Sequence, residues 1–221
     1  VGDVVDDADL VGNALHRLHG RTHRLAALDR LPAAAYEGAR RLLEIGHRHL
    51  LVVVSLIDIG NIRERLAGID AAIADVPGAR ADVIETSTDV TEVAQIVAAQ
   101  LAVQPRPTAI FTLNNVLTLG TLRATERLGL EIPADVSLLG FDDYDWMEVF
   151  RPSLSAIHQP VEEMARVAWH RLAILTGAVP MGSGPAICHV RLPCTLAWRD
   201  SVAEPRASAS AEHPLQEVLP P

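Results

Sequence analysis

Apolar and polar positions alternate along this chain in blocks of two different periods. "HLLVVV" (His49–Val54) is a continuous β-branched run short enough for one buried strand. "NIRERLAGIDAAI" follows, with Ile62, Leu66, Ile69 and Ile73 at helical spacing. The alternation then repeats. "ADVIET" is a weak strand, and "TEVAQIVAAQL" a helix with Val93, Ile96, Val97 and Leu101 inward. "TAIFTL" (Thr108–Leu113) is a strand, and "NVLTLGTLRATERLG" a helix with Val116, Leu119, Leu122 and Leu128 inward, stopped by Gly129. "VSLLGF" (Val136–Phe141) is the next strand. Four strands separated by three helices predict an α/β fold whose parallel sheet is covered on both faces.

Sheets of this kind bind ligands outside the carboxyl ends of their strands. The polar residues released there are Ser55 and Asp58, Thr86, Asn114 and Asn115, and Asp142 and Asp143. They are expected to share one rim. The front of the chain is less regular: residues 1–5 and His23–Asp29 read as strands around a helix, "ADLVGNALHRLHG". Late in the chain, "VEEMARVAWHRLAIL" is an amphipathic helix through Val161, Met164, Val167, Ala168, Leu172 and Leu175. "AICHVRLPCTLAW" reads as one or two closing strands, and the Pro-, Ser- and Ala-rich end as a disordered tail.

Composition narrows the function. The chain has 221 residues, 49% of them hydrophobic, which is enough to bury a real core. Its net charge of −9 argues against a nucleic-acid-binding surface, which needs clustered Lys and Arg, and all 19 of its basic residues are arginine. No apolar run reaches the ~20 residues of a membrane span, and the acidic start has no signal-peptide pattern, so a cytoplasmic location is expected. Cys188 and Cys194 make neither a disulfide framework nor a zinc site. His16, His19, His23, His47 and His49 have no converging third ligand, so no metal is expected.

Several enzyme patterns fail. Asp143-x-Asp145 after an apolar strand has the form of a phosphatase nucleophile pair. The chain, however, has no lysine to balance a phosphoryl charge, and Trp146 stands where that motif carries Thr. Gly-rich nucleotide loops and the Gly-x-Ser-x-Gly elbow are absent. Adjacent Asp residues on one strand cannot face each other across a glycosidic bond. No catalytic residues and no cofactor are expected.

The segments "GHRHLLVVV", "RERLAGI", "PTAIFTLNNVLTLGTLRATERLGLEIPADVSLLGFDD", "RPSLSAIHQPVEEMARVA" and "VRLPCTLAWRDS" occur in an order that resembles the effector-binding core of the lactose/galactose-repressor family of transcription regulators. The resemblance runs from Gly46 to Ser201. It implies a two-lobe fold like that of periplasmic binding proteins, with parallel sheets and three crossings between the lobes. On that template residues 1–33 and 160–180 form a partial N-terminal lobe, 34–159 and 186–200 the C-terminal lobe, and 201–221 the tail. The family's helix-turn-helix headpiece, its hinge helix and the first units of the first lobe have no counterpart here, so that lobe is expected to be incomplete. A turn usually rich in glycine after the first strand is replaced by Val54-Ser55.

The resemblance also implies the site. Asp142 takes the position that accepts effector hydroxyls, Arg65 that of a cleft arginine, and Gln159 that of a crossover residue facing the ligand. Asn114, which ends a strand and opens a helix, has an amide able to donate and accept. As an N-cap, that amide would instead serve the helix itself. Ser55, Trp146 and Phe150 are further candidate contacts, although aromatic residues near a strand end more often serve lobe packing. The implied partners are a small-molecule effector, taken to be a sugar, a second copy in a homodimer, and operator DNA reached only through the headpiece. Two other classes remain open: a solute-binding protein for transport, and a dimerisation fragment without ligand.

Overall fold

The computed structural model describes residues 31–176 and 190–206. Contacts divide the chain into two compact units, Val1–Asp29 with Pro160–Leu192 and Arg30–Gln159 with Pro193–Pro221. The expected elements within residues 1–30, Cys188, and the tail beyond Arg206 lie outside the described residues.

The second unit is built on a six-stranded sheet in the order β2-β1-β3-β4-β5-β6. Its elements are α1 (Leu31–Glu44), β1 (His49–Ser55), α2 (Gly60–Ala74), β2 (Arg80–Thr86), α3 (Val90–Leu101), β3 (Ala109–Thr112), α4 (Asn115–Arg127), β4 (Ser137–Phe141), α5 (Asp145–Val149), β5 (Ser155–His158) and β6 (Thr195–Ala197). The first five strands pair in parallel and β6 runs antiparallel to β5. Helix α1, strand β5 and the short α5 are additions to the elements that hydrophobic periodicity predicts.

Alternate residues of β1 feed opposite faces, as a pleated strand must. Leu50, Val52 and Val54 join α1 and α2 in one core, where Ala35, Ala39, Leu42, Ile62 and Ile69 are buried. Leu51 and Val53 join α3 and α4 in the other, with Val93, Val97, Leu101, Leu117 and Ala124. A strand buried on both faces has no polar side, so its sequence is a continuous apolar run.

Helix α4 is buried by a different face from the expected one. Leu117, Thr118, Gly120, Thr121, Ala124 and Thr125 are buried, whereas Leu119 is 40% exposed and Val116, Leu122 and Leu128 are half-buried. Close approach to α3 decides this. A Cβ on Gly120 would lie 2.4 Å from Val93 Cγ1, so a stripe of small residues carries the contact. The expected stop at Gly129 is present. The residue sits at φ +63°, its N–H reaches the Glu126 carbonyl and the next N–H reaches Thr125, which closes the helix in a Schellman motif.

The tail expected from residue 201 begins as ordered chain. Ser201 is fully buried and bonded to Leu138 through both its backbone carbonyl and its hydroxyl. Two residues on, Ala203 O receives the Ser137 hydroxyl and His47 Nε2, at 3.0 Å each. This strap crosses the amino edge of the sheet, before β1 and β4.

In the first unit, α6 (Val161–Leu175) forms where its 3.6-residue period predicts. None of its described side chains is buried, and Val161 and Leu172, both expected inward, are 64% and 44% exposed.

Candidate functional site

The sheet order reverses direction between β1 and β3, because the chain leaves β1 toward β2 and returns on the other side. A crevice opens at the carboxyl ends of the strands at such a switch point. Ser55 ends β1 there and Asn114 follows β3. The two side chains meet, with Asn114 Nδ2 donating to Ser55 Oγ at 3.0 Å. Asn114 Oδ1 accepts from Leu117 N at 2.9 Å, so the same amide also caps α4. Both polar ends of this asparagine are thus engaged, one as the cap of α4 and the other on Ser55.

Arg65 is not a solvated helix charge. It is 4% exposed, stacks with its guanidinium 3.6 Å from the centre of the Phe141 ring, and donates to the Leu113 carbonyl. Leu113 and Phe141 immediately precede Asn114 and Asp142. A planar, permanently charged fork with an apolar face suits this place, bracing two strand ends at once. Arg63, two residues away, is exposed, as its position on another helix face requires.

Asp142 stands at φ +68°, a left-handed conformation that non-glycine residues rarely adopt. Its N–H is held by Ile157 O at 3.0 Å, the last bond of the β4–β5 ladder. Its carboxylate accepts from Gln159 Nε2, so the last residue of this unit before Pro160 touches the rim acid directly. Leu56, after β1, is the other described non-glycine residue at positive φ (+54°). Both lie on the carboxyl edge, one on each side of the switch point, and backbone strain of this kind gathers at functional sites.

Asp143 has a different task. Arg199 grips both its oxygens at 2.8 Å and also donates to Leu154 O. The hydrogen bonds to Asp143 hold the Arg199 guanidinium above its ordinary pKa. This pair ties the loop after β4 to the end of β6 and so steadies Asp142 from its other side. Trp146 and Phe150 form an edge-to-face pair with ring centres 6.4 Å apart. Trp146 packs against the α3–α4 core; Phe150 is 39% exposed. The side-chain pairs on the rim itself are Ser55 with Asn114 and Asp142 with Gln159.

Two polar side chains were missed in the sequence. Asn61 Oδ1 and Glu64 Oε2 are shielded from solvent without a hydrogen-bond partner. Asn61 lies one turn before Arg65 on the same helix face, and that i, i+4 spacing was the available signal. Unsatisfied buried oxygens are costly, and they fit a place where donors from a ligand arrive. An apolar cavity of about 220 Å³ beside Ala33, Ala34, Ile157 and Leu196 is lined by none of these polar residues. Among the described residues, no group of three or more His, Cys, Asp or Glu is placed to hold a metal, and no helix is long and apolar enough to cross a membrane.

Comparison with known proteins agrees with this architecture. Residues 39–202 match the model of the periplasmic binding protein-like domain. The HTH-type transcriptional repressor PurR of Shigella dysenteriae is 31% identical over 152 residues, 66% of this chain and 44% of the repressor. The chain thus spans less than half the length of that relative. A LacI family transcriptional regulator from Enterococcus faecium, solved with bound ribose, is 26% identical with a TM-score of 0.69, covering 80% of this chain and 64% of that one. The Escherichia coli transcriptional repressor AscG, 23% identical, shares the fold with a TM-score of 0.67 over 79% of this chain and 63% of its own. These relatives are transcription regulators, not enzymes. With the family model matching most of its length, this chain belongs to the periplasmic binding protein-like family, as an effector-binding domain of the LacI type.

Proposed function

We propose that this domain binds a small polyhydroxylated effector, a sugar or a molecule carrying one, at the carboxyl edge of its sheet. Asp142 is the principal acceptor, Asn114, Arg65 and Ser55 complete the rim, and Gln159 is hydrogen-bonded to the acid. The observation that carries the reading is Asp142 itself. A carboxylate is held in a strained turn by Ile157 behind it and by the Arg199–Asp143 pair beside it. An ionised carboxylate offers acceptors only, and two hydroxyls of a vicinal diol can donate to it together. The ribose bound to the Enterococcus relative supports the ligand class. In this reading residues 34–159 and 186–200 are the C-terminal lobe, and residues 1–33 and 160–180 belong to the N-terminal one.

The effector acts by favouring one arrangement of the domain over another, since a ligand shifts an equilibrium only by its differential affinity. The net charge of −9 disfavours contact with operator DNA by this chain itself, which in this reading belongs to a headpiece. Self-association as a homodimer completes the reading, supported by the outward apolar face of α4 at Leu119.

Thermal melting against ribose, other pentoses and hexoses, sugar phosphates and nucleosides tests the assignment. A ligand at a hundred times its Kd raises stability by about 2.7 kcal/mol. Asp142→Gly, which keeps the positive φ and deletes the carboxylate, abolishes that shift. A full shift in the variant would remove Asp142 from the site, and no shift with any compound would end the sugar reading.

A further inference from the structure

We propose that the hydrogen bond from Gln159 to Asp142 is a ligand-sensitive latch: the crossing residue occupies the acid while the site is empty and is released when effector hydroxyls take its place. The proposal rests on the binding role assigned above to Asp142 and adds how occupancy reaches the rest of the chain.

The two partners differ in freedom. Asp142 is fixed on both sides, by the Ile157 carbonyl on its own N–H and by the Arg199 fork on Asp143. Gln159, by contrast, follows the last residue of β5 and ends the first segment of its unit; the chain enters the other unit at Pro160. Proline has no N–H to anchor the crossing, and α6 begins without a side-chain cap. Among the described residues, the Gln159 carboxamide adds a side-chain tie between this crossing and the rim, beyond the β5–β6 ladder that ends at His158. It spends a donor on the carboxylate that a hydroxylated ligand needs. A hydroxyl arriving at the same oxygen competes with the amide, and losing the amide frees the backbone at 159–160. The contact is charge-assisted, which makes it strong enough to bias the crossing and exchangeable enough for a sugar hydroxyl to replace.

The latch separates from a plain ligand contact by sign. If Gln159 merely binds the effector, removing its amide weakens binding. A latch that opposes the effector, once removed, lets it bind more tightly. Amide hydrogen exchange across 155–163 in the ligand-free chain reads the contact directly. Gln159→Met and Asp142→Gly should each speed exchange there about tenfold, the worth of one such bond, and the double variant should add nothing. Titration with D-ribose should then show several-fold tighter binding to Gln159→Met than to the wild type. Unchanged exchange in Gln159→Met, or weaker ribose binding by it, would overturn the latch. Failure of the wild type to bind ribose strikes the sugar reading instead, and the exchange rates still decide the contact.

Discussion

His47 shows how one side chain can make a fold pH-dependent far from any site. It is 1% exposed, and burial pushes its imidazole down to about 4. Its Nε2 faces the Ala203 carbonyl, which can only accept, so Nε2 carries the proton and Nδ1 accepts from the Thr108 hydroxyl at 2.8 Å. The folded chain therefore keeps this ring neutral at pH values where the unfolded chain protonates it. The unfolded state binds more protons between pH 6.5 and 4, so stability falls as pH drops through that window. Urea melts should show about 2 kcal/mol less stability at pH 5 than at pH 7 from this residue. His47→Gln, which keeps a donor for Ala203 but does not titrate, removes that part of the slope. An identical slope in the variant would assign the acid sensitivity to other groups. Asp142 and Arg65 teach a related lesson about legibility. Their positions at a strand end and on a helix were evident from the sequence. The left-handed turn of one and the burial of the other were not, because each depends on a partner distant in sequence: Ile157 O for Asp142, Phe141 and Leu113 for Arg65.

At the scale of elements, the order of strands and helices from β1 to β4 follows from hydrophobic period, since each strand is short and continuous and each helix repeats every three or four residues. Which face of a helix is buried follows less directly. In α4 the larger residues, Val116, Leu119 and Leu122, suggested one face and the structure buries another. Size patterns report apolar surface, whereas close helix contacts select small residues, and only the position of α3 shows that the second rule governs here. Gly120→Ala tests this. Alanine is the better helix former by roughly 1 kcal/mol, but its Cβ would sit 2.5 Å from Val93 Cβ, an atom fixed to the backbone that cannot rotate away. Overpacking in a tight core costs about 1–3 kcal/mol, so the variant should be net destabilised in denaturant melts. Adding Val93→Ala should recover part of the loss. A stabilised single variant would mean that the two helices separate easily. Strand β5 and helix α1 were not read from the sequence: "SAIH" is too short to carry a period, and α1, although Ala35, Ala39 and Leu42 repeat at helical spacing, has no acidic residue in its first turn to mark its start.

Among the described residues of the sheet-bearing unit, the outward face of α4 and the β2 edge of the sheet are two places where a second copy can be accommodated. Strand β2 ends the sheet with no neighbour on its outer side, and its Val83 is 45% exposed. That edge also carries Arg80, Asp82 and Glu85, and charges on an edge strand oppose strand-to-strand pairing. Leu119, flanked by half-buried Val116 and Leu122, offers apolar surface without that opposition. A homodimer formed through α4 is therefore the proposal that burial and charge favour together. Sedimentation velocity at micromolar concentration should show a dimer for the wild type. Leu119→Glu places a carboxylate on that face at a position already open to solvent, so it should yield a monomer whose melting temperature differs from the parent only by the lost association. A Leu119→Glu dimer would point to the β2 edge, where Val83→Lys would then be the variant that dissociates it. A wild-type monomer at every concentration would remove self-association from the proposed function and leave the effector site to act within one chain.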